Sequence, residues 1–162
     1  NGRVGRIINV LYLIQEKLLS FPILYLSSYI INHKTAYYRA LKGVTEDKDW
    51  RTWILYILDA VEQTSIETLR AIKGIHVAQS EMIDRIKTNA PKIYSKELID
   101  LLFEQPYCKI SFLVKRGIAK EQTASRYLKH LTELGELDMV KRGRENYYIN
   151  KPLWGILTHS NP

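Results

Sequence analysis

Residues 110–149, ISFLVKRGIAKEQTASRYLKHLTELGELDMVKRGRENYYI, decide the fold of the second half of this chain. Ile110 to Lys115 predicts a short helix that closes at Gly117. A longer helix follows from about Lys120 to Leu134, because Ala124, Tyr127, Leu128, Leu131 and Leu134 recur on one face, and Gly135 supplies its stop. Just upstream, Ser95 is placed to cap a helix carrying Leu98, Leu101, Leu102 and Phe103, which Pro106 ends. Helix, short helix, glycine turn, helix is the order of a helix-turn-helix. Leu137 to Val140 and Asn146 to Ile149 then read as two strands around Lys141-Arg142-Gly143-Arg144-Glu145, a hairpin with a basic tip. A winged helix is therefore expected over residues 92–152, with 153–162 as a C-terminal tail.

Working back toward the start, the sequence becomes helical throughout, so the expected class is mainly α with one small β-hairpin. Val4 to Leu19 places Ile7, Leu11, Ile14 and Leu18 on one helical face before Pro22 forces a stop or turn. A second helix is expected from about Ser28 to Lys42, closed by Gly43. A third starts after Asp49, a good N-cap; Gly74 is placed to interrupt it, but Val77, Ile83 and Ile86 continue its apolar pattern to about Lys87. Asn89-Ala90-Pro91 marks the break, which makes residues 1–88 a separate helical part.

Length and composition bound the rest. A chain of 162 residues holds one large domain or two small ones. With 46% hydrophobic residues it can build a core without covalent staples. Its 24 Lys and Arg against 17 Asp and Glu give a formal charge of +7, which suits an anionic partner. The basic excess is denser after residue 91 than before it. The single Cys108 excludes an intramolecular disulfide and fits a reducing cytoplasm, with the thiol read as a small buried hydrophobe. No apolar run approaches the roughly 20 residues that span a bilayer, so no membrane partner is expected. The first residue is Asn and no signal-peptide pattern follows, which reads as the remainder of a longer protein.

The opening Asn1-Gly2-Arg3-Val4-Gly5-Arg6 leads directly into the first helix. Free N–H groups at a helix N-terminus attract anions, glycine permits close backbone approach, and Arg3 and Arg6 project about one turn apart. Two guanidiniums in that position suit a polyphosphate.

Asn1 to Arg6 resembles the tail of the Fic family signature, H-x-F-x-D/E-G-N-G-R-x-x-R, from just after its first glycine. The resemblance continues through Leu11-Tyr12-Leu13, Pro22, Leu24 to Ser27, Tyr29-Ile30, Tyr37-Tyr38 and Trp50 to Trp53, and so covers residues 1–88. The winged helix fits too, since many bacterial Fic proteins carry such a module after the catalytic domain. The resemblance implies transfer of AMP from ATP to a Tyr, Thr or Ser hydroxyl of a target protein. It implies that the signature His and the acidic Mg²⁺ ligand precede Asn1, so this stretch alone would not catalyse. Asn1, Gly2 and Arg3 would cradle the ATP phosphates, and Arg6 would orient the γ-phosphate. Tyr38 would lie near the adenine, and Thr45 stands where relatives carry a polar or basic residue. An inhibitory helix, if the protein has one, would also lie upstream.

The four histidines, His33, His76, His130 and His159, have no zinc-type spacing and read as structural or solvated. Trp50 and Trp53 read as core packing. For the winged helix, Gln122, Thr123, Ser125, Arg126 and Lys129 would face a DNA major groove, with Lys141, Arg142 and Arg144 of the wing on phosphates or in a minor groove. Alternatively the module dimerises or recognises a protein. Glu121, Glu133, Glu136 and Glu145 are expected to dilute its positive field.

Overall fold

The computed structural model describes residues 2–159, without the side chains at 2, 3, 6 and 159. The elements run α1 Gly2–Gln15, α2 Leu26–Asn32, α3 Lys34–Asp47, α4 Trp50–Asn89, α5 Lys96–Glu104, β1 Tyr107–Cys108, α6 Ile110–Lys115, α7 Glu121–Glu133, β2 Leu137–Arg142, β3 Glu145–Asn150 and α8 Lys151–His159. The fold is mainly α with a small antiparallel sheet, as the sequence predicts. The chain divides into two compact units, Asn1–Arg70 and Ala71–Pro162, and the boundary falls inside α4. No helix among the described residues is long and apolar enough to cross a membrane.

In the first unit the expected helix from Ser28 to Lys42 is two helices, because the chain bends at His33 between α2 and α3. Gly43 does not close α3. The helix runs on to Asp47, Lys48 takes the left-handed conformation (φ 58°), and Asp49 N–H returns to the Gly43 carbonyl at 3.1 Å. Asp49 caps α4 as expected, accepting the Thr52 N–H at 3.1 Å. Leu26, Ile30, Ala40 and Ala60 are buried, and the Tyr29 hydroxyl donates to the Asp59 carboxylate. Tyr37 lies against the rings of Trp53 and Tyr56 at 5.4 and 5.9 Å. Trp53 packs as expected, whereas Trp50 is exposed. The apolar face of α1 forms but is not covered: Ile7 and Leu11 remain 59% and 56% exposed.

The second unit is built as the sequence reading expects, with three additions. Ser95 caps α5 by accepting the Leu98 N–H at 3.1 Å. α6 and α7 end in the same way. Gly117 (φ 68°) and Gly135 (φ 79°) turn left-handed, and the N–H groups of Ile118 and Glu136 reach back to the carbonyls of Leu113 and Leu131, each at 3.0 Å. These paired closures satisfy the last carbonyls of each helix and require a residue that tolerates positive φ. The wing is a two-residue turn at Gly143-Arg144 with Arg142 opposite Glu145. Gly143 supplies the positive φ (61°) that the first position of a type II′ hairpin turn demands.

The additions are β1, α8 and the last turns of α4. β1 pairs with β3, giving the sheet order β1-β3-β2. The C-terminal stretch is helical, with α8 resting against α4: a methyl built on Gly74 would sit 3.5 Å from Ile156. Gly74 does not interrupt α4. The core gathers Met82, Ile86 and Ala90 with Leu98, Leu102, Leu113, Leu128, Leu131 and Tyr148. Asn150 is 1% exposed and joins three elements. Its amide donates to the Leu102 carbonyl of α5 at 3.0 Å, its Oδ1 accepts the Leu153 N–H of α8 at 3.1 Å, and its own N–H meets the Pro106 carbonyl at 3.0 Å.

Replacing Asn150 with Ala removes the α8 cap and orphans a buried carbonyl, so Asn150→Ala should cost about 2–3 kcal/mol. Urea unfolding followed by amide NMR signals of the second unit would show it; an unchanged midpoint would contradict this role. Cys108 is buried, and burial pushes its thiol up to about 12. Ellman's reagent at pH 8 should therefore leave the folded protein unlabelled and react after unfolding; fast native labelling would contradict the burial.

Candidate nucleic-acid interface

The recognition helix α7 is positioned by its buried side. Ala124, Leu128 and Leu131 are fully buried, which fixes the helix rotation and turns Gln122, Arg126 and Lys129 outward. Thr123 and Ser125 are half-buried. Gln122, Ser125, Arg126 and Lys129 meet, together with His130 and Glu133, in one shallow groove of about 320 Å³. The structure thus brings together four of the five helix residues expected to face DNA; Thr123 is not among the groove residues. On the wing, Lys141, Arg142 and Arg144 are all exposed. Arg144 lines a second groove of about 460 Å³, shared with Lys109 and Lys115 of the α6 region.

Two of the four carboxylates expected to dilute this surface, Glu136 and Glu145, are paired with cations. Glu136, its side chain 6% exposed, takes a bidentate hydrogen bond from Arg85 of α4, with Nε at 2.6 Å and Nη2 at 3.0 Å. That bond to Glu136 holds the Arg85 guanidinium pKa above its ordinary value. Glu145 accepts from the Lys109 ammonium at 2.7 Å and from the Tyr147 hydroxyl at 3.2 Å. The Lys109 ammonium also lies 4.3 Å from the Tyr147 ring centre. The bond to Glu145 raises the Lys109 pKa, and the same bond lowers that of Glu145. Glu133 lies 3.4 Å from His130. Glu121 keeps no ion pair among the described residues and sits in the first turn of α7, where a negative charge suits the helix dipole.

The cations of the face are, by contrast, free. Among the described residues no carboxylate lies in ion-pairing distance of Lys115, Arg126, Lys129, Lys141, Arg142 or Arg144. Pairing of Glu136 and Glu145 thus leaves these six cations as a positive excess on this side of the second unit. Sequence reading missed Lys109 and Lys115 in this surface. Lys109 belongs to the join between a two-residue strand and a six-residue helix, too short for any periodicity to place.

The residues expected to hold phosphates stand differently. Asn1 lies outside the described residues, as do the side chains of Arg3 and Arg6. Gly2 opens α1, and Arg3 and Arg6 fall in its first turns. Tyr38 is 65% exposed and meets the Tyr37 ring edge-on at 5.3 Å. Among the described residues no group of three or more His, Cys, Asp or Glu side chains is placed to hold a metal ion.

Residues 78–153 match the family described as the C-terminal domain of SoFic-like protein adenylyltransferases. The match starts inside α4, so it takes in Met82, Arg85 and Ile86, and it ends at Leu153, whose N–H Asn150 receives. Over residues 78–153 the chain is thus similar to the C-terminal domain of SoFic-like protein adenylyltransferases.

Proposed function

We propose that the intact protein transfers AMP from ATP to a Tyr, Thr or Ser hydroxyl of a protein target, and that its winged helix docks on duplex DNA. The family match over residues 78–153 carries the first half of this reading. The target oxygen attacks the α-phosphate, pyrophosphate leaves, and the signature His, preceding Asn1, takes the hydroxyl proton. Asn1, Gly2 and Arg3 cradle the phosphates and Arg6 orients the γ-phosphate, an arrangement that stabilises charge by N–H groups and guanidiniums held in place beforehand. Tyr38, exposed beside Tyr37, offers the adenine an aromatic face. The acidic Mg²⁺ ligand of this reading belongs with the signature His before Asn1. Mg²⁺ supplies charge neutralisation on the phosphates when bound. The exposed apolar face of α1 supports the view that this helix packs against further parts of a catalytic domain.

The unpaired cations on α7 and the wing carry the second half. A face with free Arg and Lys, and with Glu136 and Glu145 held in ion pairs, matches a phosphate backbone, while Gln122, Ser125 and Arg126 can reach base edges.

With full-length protein and α-labelled ATP, self-labelling should occur in the wild type and fall about 10²- to 10³-fold in Arg3→Ala and in Arg6→Ala. Labelling that ignores both substitutions would overturn the phosphate roles, and residues 1–162 alone should take up no label. In DNA titrations, Lys141→Ala with Arg142→Ala and Arg144→Ala should flatten the salt dependence by about 0.9 in log–log slope for each phosphate that the wing no longer neutralises. An unchanged slope would remove the wing from the interface.

A further inference from the structure

A third groove, of about 490 Å³, opens on the other side of Arg126, between α7 and the elbow that joins α4 to α5. Pro91, Lys92 and Ile93 line one wall, and Arg126, Tyr127 and His130 line the other. No carboxylate lines this groove, unlike the groove beside the wing, where Glu121 and Glu145 stand among the cations. Arg126 and His130 line both this groove and the one along α7.

The elbow is held rather than loose. Ala90 is buried, its N–H meets the Ile86 carbonyl at 2.8 Å, and the Ile93 N–H closes a turn on the Ala90 carbonyl at 2.9 Å. Next to it the Lys87 ammonium sits 4.8 Å from the Tyr94 ring centre. Lys92 itself is exposed and has no ion pair among the described residues, and the same is true of Arg126. The hydrogen-bonded turn therefore presents one free ammonium, and α7 one free guanidinium, to a groove that no carboxylate lines. That is a place for a singly charged, tetrahedral anion flanked by apolar surface, which is the chemistry of a backbone phosphate and its sugar.

We infer that the DNA-binding face extends past the recognition helix onto the α4–α5 elbow, where Lys92 and Arg126 grip a phosphate flanking the major-groove contact. The inference rests on the DNA reading given above. It adds a contact that no helix-turn-helix pattern in the sequence marks, because Lys92 lies in a turn 34 positions before Arg126. A phosphate held here fixes the register of α7 without reading sequence, so its loss should weaken all duplexes alike.

The test is anisotropy titration of a fluorescein-labelled mixed-sequence duplex with residues 1–162, at several salt concentrations. Lys92→Ala should weaken binding several-fold and lower the log–log salt slope by about 0.9, with Lys92→Arg restoring both. Lys96→Ala, an exposed lysine outside the groove, should change neither. If the wild type and the wing variant behave as the DNA reading requires but Lys92→Ala matches the wild type, the elbow contact is wrong and the DNA reading stands. Equal losses in Lys96→Ala and Lys92→Ala would also overturn it, since the effect would then be general charge. A wild type that binds no duplex would overturn both.

Discussion

Much of the second unit depends on one ion pair, between the buried Glu136 and the half-exposed Arg85. Glu136 follows the glycine that stops α7, and the left-handed turn at Gly135 aims its carboxylate into the interior. A carboxylate in that position needs a fixed partner, because leaving it unpaired would cost several kcal/mol. Arg85 provides it with a planar, two-pronged hydrogen bond from α4. The pair therefore fastens the last turns of α4 to the corner between the recognition helix and the wing. Met82 and Ile86, to either side of Arg85 on that helix, enter the same core as Leu128, Leu131 and Tyr148. A helix that starts in the first compact unit thus ends as a structural member of the second.

The same pairing shapes the electrostatics. Glu136 and Glu145 look in the sequence like charges that weaken a basic surface, yet each is matched to a cation that is not part of the recognition helix or the wing tip. The positive face is what remains after these internal pairs are removed. Net charge alone, spread over the chain, gives no hint of this sorting, which arises from residues such as Arg85 and Glu136 that lie 51 positions apart.

What could be read from the sequence follows the same physical division. Ser95, Gly117 and Gly135 carry local capping chemistry, and the boundaries of α5, α6 and α7 are legible to within a residue or two because of them. The stripe of Ala124, Leu128 and Leu131 tells which face of α7 is buried, and hence which residues point outward. Gly43 misleads, because the left-handed closure falls on Lys48 and glycine sits harmlessly inside α3. Strand β1 has only two residues and no periodicity to show. Helix α8 leaves a usable signal in Asn150 followed by Pro152, an N-cap and a residue suited to a first turn, although nothing local marks the buried bond of Asn150 to α5. The grooves that Lys92, Lys109 and Lys115 line exist only once distant segments meet.

Amide hydrogen exchange along α4 tests the central claim most directly. If the pair of Arg85 with Glu136 and the burial of Met82 and Ile86 make the end of α4 part of the core of the second unit, amides from Met82 to Lys87 will exchange with the same slow kinetics as those from Ala124 to Leu131. Exchange of Met82 to Lys87 in step with residues 60–70, and well ahead of α7, would contradict it.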